Sequence, residues 1–237
     1  MPEIGRVAGP VSLLGNPASE WAVNNDGSSR GCRLCRRAEG QPFHDERRRY
    51  YRCPNCALVF ADPAFHLDAE RERGVYDQHR NSPDDPAYRR FLSRLFEPVC
   101  DRIEAGSVGL DFGSGPGPTL SVMFQEAGHQ VSLFDPFYAP VPTVFEREYD
   151  FITASEVVEH LHWPGVELDR LWRCLLPGGV LGVMTKRVLD RARFSTWHYK
   201  NDPTHVCFFA LQTFEWLADH WGADLEVVAD DVVLLLK

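Results

Sequence analysis

Gly109-Leu-Asp-Phe-Gly-Ser-Gly-Pro-Gly-Pro-Thr119 decides the reading of this chain. A short apolar run carries Asp111 just ahead of Gly113, Gly115 and Gly117. Glycines at such a strand end permit tight turns and let the backbone approach a ligand closely. A dinucleotide-binding loop spaces its glycines Gly-x-Gly-x-x-Gly and offers the free N–H groups of a helix start to a pyrophosphate. Here the glycines alternate, and Pro116 and Pro118 remove two of those donors. The loop therefore suits an amino acid and a ribose better than a pyrophosphate, which argues against a nicotinamide-dependent oxidoreductase.

Outward from the loop, strands and helices alternate. Upstream, Asp84 or Asp85 can cap a helix over 84–103 with Pro86 in its first turn, and Tyr88, Phe91, Leu92, Leu95, Phe96, Val99 and Ile103 recur at helical spacing. Apolar runs predict strands at 108–112, 130–135, 149–154 and 180–185, with helices over 120–127, 168–175 and 211–221. Residues 225–228 and 232–236 read as a closing hairpin around Asp230-Asp231. The pattern predicts an α/β fold whose mostly parallel sheet is covered on both faces. Its ligand is expected at the carboxyl ends of the strands, near the topological switch point.

Asp111-x-Gly113-x-Gly115-x-Gly117 after a strand resembles motif I of class I S-adenosylmethionine-dependent methyltransferases. The resemblance covers 105–237 and implies a Rossmann-like methyltransferase domain. It assigns Asp111, Gly113, Ser114, Gly115 and Gly117 to the cofactor, with the loop around its methionine part. Asp135, eighteen residues beyond Gly117, resembles the family's ribose ligand, since two hydroxyls call for a paired acceptor. Tyr149-Asp-Phe-Ile-Thr-Ala-Ser-Glu-Val-Val-Glu-His-Leu161 resembles the fourth motif of the small-molecule branch, whose strand end and following loop line the methyl-transfer pocket, and this resemblance assigns Ser155 and Glu156 to cofactor binding. Pro177-Gly178-Gly179 is similar to the turn before the family's fifth strand. One departure stands out: between Asp135 and Tyr149 there is room only for a very short third strand or none. Phe137 and Phe134 are the candidates for stacking on adenine, with core packing favoured for Phe134.

The cysteines mark a second unit. Cys32-x-x-Cys35 and Cys53-x-x-Cys56 stand seventeen residues apart. Each knuckle supplies two thiolates, so the four predict a closed, structural Zn²⁺ site in a zinc ribbon over 31–62. Metal binding would supply the folding energy that so short a segment lacks. Cys100, Cys174 and Cys207 read as small core residues. Residues 1–30 read as a mobile leader and 63–104 as a helical connector. A zinc module before such a domain resembles bacterial C-methyltransferases of sugar nucleotides, a ribosomal RNA guanine methyltransferase group, and bacterial methyltransferases of the same plan, whose counterpart of Phe194–Phe209 is similar.

Charge bears on the partner. The chain carries a net −9, yet eight arginines face three carboxylates between Arg30 and Arg52. An acidic body is a poor surface for phosphates, and no strand end reads Asn-Pro-Pro-Tyr. A small-molecule methyl acceptor is therefore expected. An RNA methyltransferase gripping phosphate through its Arg-rich module, and a non-catalytic cofactor-binding or interaction protein, are the alternatives. No apolar run approaches the ~20 residues of a membrane span, and the expected compartment is the cytoplasm. For the proton that most acceptors lose, a histidine suits the task. His205 and His160 are the candidate bases, ahead of His198, and Asp202 could orient His205. Glu156 and Glu159 could bind substrate, Lys186 and Lys200 an anionic one, and Trp197 and Tyr199 could form a lid over it.

Overall fold

The structure is a computed structural model that describes residues 30–78 and 81–237. The expected leader, Arg30 apart, lies outside the described residues. First come three antiparallel strands, β1 (Gln41–Asp45), β2 (Arg49–Arg52) and β3 (Val59–Ala61), with the two cysteine knuckles around them. Tyr50 and Tyr51 are both buried because β2 is covered on both faces. Tyr51 joins the main core, while Tyr50 packs with Phe43, Phe194 and Phe208.

Helices α1 (Ala69–Tyr76) and α2 (Pro86–Cys100) follow. Asp85 caps α2 by accepting from the Ala87 amide at 2.8 Å, and Pro86 occupies the first turn, where its missing donor costs nothing. Leu92, Leu95 and Val99 are buried at the expected spacing. They lie on the sheet where Gly182 makes room: a Cβ there would come within 2.8 Å of Val99. The helix thus forms part of one sheet-covering layer.

The body alternates β4 (Val108–Phe112), α3 (Thr119–Glu126), β5 (Gln130–Phe134), β6 (Tyr149–Ser155), α4 (Pro164–Cys174), β7 (Leu175–Met184), α5 (Arg191–Thr196), β8 (Cys207–Phe208), α6 (Leu211–Trp221), β9 (Asp224–Ala229) and β10 (Val232–Leu236). Its sheet runs β5-β4-β6-β7-β10-β9. The first four strands are parallel, and β10 and β9 close it antiparallel, as the hairpin pattern predicts. Alternate residues of β10 serve opposite layers. Val232 and Leu234 face α2 and α3, while Val233 and Leu235 join the core under α4 and α6.

The third strand is missing. A short 3₁₀ turn at Pro142–Glu146 takes its place, and Pro136, Pro140 and Pro142 explain why: proline donates nothing to a ladder. β7 starts five residues earlier than expected, and α1, α5 and β8 carry too few periodic residues to be read from sequence. β8 pairs with β3 through Val59 opposite Phe208 and Phe60 opposite Cys207, so the cysteine unit and the body share one sheet.

Candidate active site

A cavity of about 420 Å³ opens where β4, β5 and β6 end, the switch point of the parallel sheet. The glycine loop forms its floor. Gly113 has φ +75°, and a Cβ there would strike Val157 at 2.4 Å, so both conformation and space demand glycine. Ser114 and Gly115 line the cavity; Asp111 and Gly117 do not. Asp111 lies buried behind the loop, bonded by the Thr153 hydroxyl at 3.3 Å, and burial pushes its pKa up to about 7. Gly117 instead lets the Asn81 carbonyl approach: a Cβ would sit 2.3 Å from it. The two outer residues of the loop motif thus support the loop from behind.

Asp135 ends β5 and holds the loop in shape. Its Oδ2 accepts from the Gly115 amide at 3.0 Å, and its Oδ1 from the amides of Phe137 and Tyr138 at 2.8 and 3.0 Å. With four lone-pair sites on a carboxylate, one acceptor position remains, on Oδ2, and Asp135 lines the cavity. Phe137 lines the cavity, whereas Phe134 is buried and stacked on Phe112 at 5.6 Å, a core role. Two buried oxygens on the lining, Ser114 Oγ and Glu156 Oε1, have no hydrogen-bond partner. Buried polar groups are generally paired; of the six described side-chain atoms left without a partner these two oxygens alone line the cavity, and they mark where a polar ligand belongs.

Ser155 and Glu156 end β6 beside the loop, and Glu156 sits at φ +53°, a strained conformation for a side-chain-bearing residue. Its other carboxylate oxygen accepts from the Tyr199 hydroxyl at 3.3 Å. Tyr199 also donates to the fully buried Glu159, which accepts from the Thr185 hydroxyl at 2.9 Å. Burial is the main cause that raises both glutamates to about 7, with repulsion from Glu159 adding to it at Glu156 and repulsion from Asp202 at Glu159.

His160 and His205 come together at the far wall with ring centroids 4.7 Å apart. The Nδ1 of His205 lies 2.8 Å from the Tyr199 carbonyl, and that of His160 3.2 Å from the Thr204 carbonyl. A carbonyl accepts only, so both Nδ1 atoms carry hydrogen, and Nε2 of a neutral His205 keeps a lone pair. Burial and the neighbouring imidazole lower His205 to about 4, leaving it neutral near pH 7. Asp202, expected as its orienting group, instead stands 3.9 Å from Nε2, while its Oδ1 is taken by Thr204. The backbone carbonyl of Tyr199 does the orienting. His198 is exposed and away from the cavity.

The loop carrying His205 is clamped from the cysteine unit. Arg48 donates to the carbonyls of Lys200, Asp202 (2.8 Å), Pro203 (3.2 Å) and His205 (3.0 Å). Tyr50 donates to the Lys200 carbonyl at 3.0 Å. Lys200, a candidate for anion binding, is buried and paired with Glu46 at 3.0 Å. Its charge is already answered.

A family model described as a methyltransferase domain matches residues 76–229. The chain belongs to this methyltransferase family. Its fold is the class I Rossmann-like one, with the third strand lost. Among solved structures, it is similar to 1,6-didemethyltoxoflavin-N1-methyltransferase from Burkholderia thailandensis, bound to 1,6-didemethyltoxoflavin and S-adenosylhomocysteine. They are 16% identical, covering 83% of this chain and 99% of that one, with a TM-score of 0.49. It is similar to an O-methyltransferase family protein of the same organism at 13% identity, 73% and 60% coverage and a TM-score of 0.49. A third, DesVI from Streptomyces venezuelae, is 13% identical over 73% of this chain and 99% of that one, TM-score 0.45. No curated protein matches.

In this methyltransferase the four paired cysteines converge. Cys32, Cys35, Cys53 and Cys56 are buried, with all four sulfurs within 4.8 Å of one another and two pairs at 3.5 Å. Sulfurs ~2.3 Å from a tetrahedral Zn²⁺ would lie ~3.8 Å apart, a spacing inside the range of 3.5 Å to at most 4.8 Å that the four show. Hydrogen bonds among the sulfurs lower Cys53 to about 7 and Cys35 further, while they raise Cys32 and Cys56. A cation binding the four would displace the shared protons.

Sequence reasoning missed one wall of the cavity, made by Glu72 and Tyr76 of α1, Asn81, and Tyr88 of α2. Glu72 is buried and accepts from Tyr76 at 2.7 Å. A buried glutamate in a helix as polar as Ala69–Tyr76 leaves no periodic signal to find.

Proposed function

We propose that this methyltransferase binds S-adenosylmethionine in the 420 Å³ cavity and methylates a small molecule there. The observation that carries the reading is the pair of unpartnered buried oxygens, Ser114 Oγ and Glu156 Oε1, facing one cavity at a strand-end glycine loop. When bound, the sulfonium supplies an activated methyl group for in-line displacement. Ser114 and Gly115 would hold its methionine part, the free acceptor position of Asp135 a ribose hydroxyl, and Phe137 the adenine face. His205 takes the acceptor's proton on Nε2, with His160 beside it. Because His205 is neutral well below pH 7, its lone pair is ready without prior deprotonation. The four cysteines hold a structural Zn²⁺, which keeps the Arg48 clamp on the His205 loop.

A polymeric acceptor fits less well. Arg33 donates to the His162 carbonyl, Arg36 pairs with Asp169 at 3.3 Å, Arg48 holds the loop, and Arg49 pairs with Asp62 at 3.0 Å. These arginines are committed within the molecule, which weakens the case for a phosphate-gripping face. The test is a transfer assay with methyl-labelled S-adenosylmethionine against pooled small metabolites and pooled RNA. Label is expected in the small-molecule fraction and reduced at least ~100-fold in His205→Gln. Label in RNA alone would reverse the acceptor assignment.

A further inference from the structure

A second cavity, about 550 Å³, opens on the same edge of the sheet, beyond the end of β7 and beside the β9–β10 turn. Two contacts link its lining to that of the cofactor cavity. Lys186 Nζ lies 5.3 Å from the centre of the Tyr199 ring, and the Tyr199 hydroxyl reaches Glu156 at 3.3 Å. On the other side, Arg94 stacks on Phe91, which lines the cofactor cavity, at 5.0 Å.

Its cations are unequally matched. Arg94 is paired with Asp231, and Arg193 with Asp190 at 3.7 Å. Arg187 donates to the carbonyls of Ala229 and Asp230 at 2.9 and 2.8 Å, which fixes the guanidinium but gives its charge no counter-ion. Lys186 forms no direct ion pair with a described carboxylate; it lies over the face of Tyr199 and acts on Glu156 only at longer range. The same cavity is lined by Trp197 and Leu189, the latter 68% exposed, as well as by Asp230 and Asp231. Exposing a leucine beside a tryptophan leaves apolar area for a ligand to cover. An ammonium with no direct ion pair, beside a tryptophan and an exposed leucine, suits a flat apolar body carrying a negative charge.

We infer that this second cavity seats the distal end of the methyl acceptor, a ring compound bearing an anionic group. The ring lies against Trp197 and Leu189, the anion meets Lys186 and Arg187, and the methylated end points past Tyr199 toward Glu156 and His205. This rests on the methyltransferase reading of the first cavity.

Calorimetric titrations of the zinc-loaded full chain test it, with and without saturating S-adenosylhomocysteine. The probes are 4-hydroxybenzoate (a carboxylate), phenyl phosphate (a phosphate) and neutral 4-hydroxybenzamide, each against wild type and Lys186→Gln. At least one acid is expected to bind ten-fold or more tightly than the amide. That acid's affinity should fall ten-fold in Lys186→Gln and weaken with salt, while S-adenosylhomocysteine binds both proteins equally. Whichever acid binds better identifies the anion. Acids that bind no better than the amide, or equally well to the variant, overturn the inference. Failure of S-adenosylhomocysteine to bind wild type overturns the reading of the first cavity instead, and the acid titrations without it still decide the second.

Discussion

The strands β6, β7 and β10 distribute their side chains between two apolar layers, and burial of those layers holds the body together. The unit of β1–β3 adds Leu34, Tyr51, Leu58 and Phe60 to one of those layers, gathers four sulfurs beside them, and is tied down further by hydrogen bonds: β3 to β8, Arg48 to four carbonyls, Gly165 to the Arg33 carbonyl at 3.1 Å. The body positions the cofactor loop through glycines and Asp135. The cysteine unit positions the His205 loop across the chain. One site is thus assembled from two kinds of architecture, and each should fail in its own way.

The largest effect is expected from removing the metal ligands. Cys56→Ser should abolish stoichiometric zinc in elemental analysis. Structural zinc contributes ~10 kcal/mol or more to small folds; losing even ~3 kcal/mol of that should lower Tm by ~6–12 °C. A zinc-free variant that melts like wild type would break the comparison from the module's side. Arg48→Ala comes next. It should retain zinc and S-adenosylhomocysteine affinity, speed hydrogen exchange at 200–205, and lower kcat ten-fold or more, since small misplacement of a base is costly.

Acidity separates the regions further. Glu159 is raised to about 7 from an ordinary 4.5, so between these values the folded state binds more protons than the unfolded one. Its contribution to stability is fully present below pH 4.5 and declines as pH rises to 7. His205, lowered to about 4 from 6.5, acts oppositely: the unfolded state binds more protons there, so stability gains as pH rises through that range. Denaturant melts of Glu159→Gln across pH 5–7 should show the decline reduced, by at most one proton, ~1.4 kcal/mol per pH unit. Turnover should show no ionisation of His205 between pH 6 and 8. The smallest effect belongs to the Arg36–Asp169 pair, half-exposed at 3.3 Å. Arg36→Ala should change stability by no more than ~0.5 kcal/mol.

Much of the body could be read from sequence because apolar periodicity reports burial directly. The ranges of β4, α6 and β10 agree residue for residue with the apolar runs. The loop was legible because Gly113 has no alternative at φ +75° against Val157. What sequence could not show are contacts between distant segments. Nothing near Arg48 announces that its partners lie more than 150 residues away, and nothing in α1 announces Glu72. The supporting places of Asp111 and Gly117 were equally hidden, since a motif names positions without saying which touch the ligand. Asp202 stands 3.9 Å from His205, as its spacing suggested, but a backbone carbonyl, invisible in any sequence, makes the hydrogen bond that holds the ring.

Calorimetric titration of the zinc-loaded protein with S-adenosylhomocysteine, beside Gly115→Arg, tests the account most directly. At Gly115 a Cβ meets nothing within 4 Å, so the arginine can enter the cavity while its φ of +63° costs ~1 kcal/mol. Micromolar binding by wild type, lost in a variant that still melts cooperatively, is the predicted result. A folded, zinc-loaded protein that does not bind S-adenosylhomocysteine, or a variant that binds as well as wild type, would contradict it.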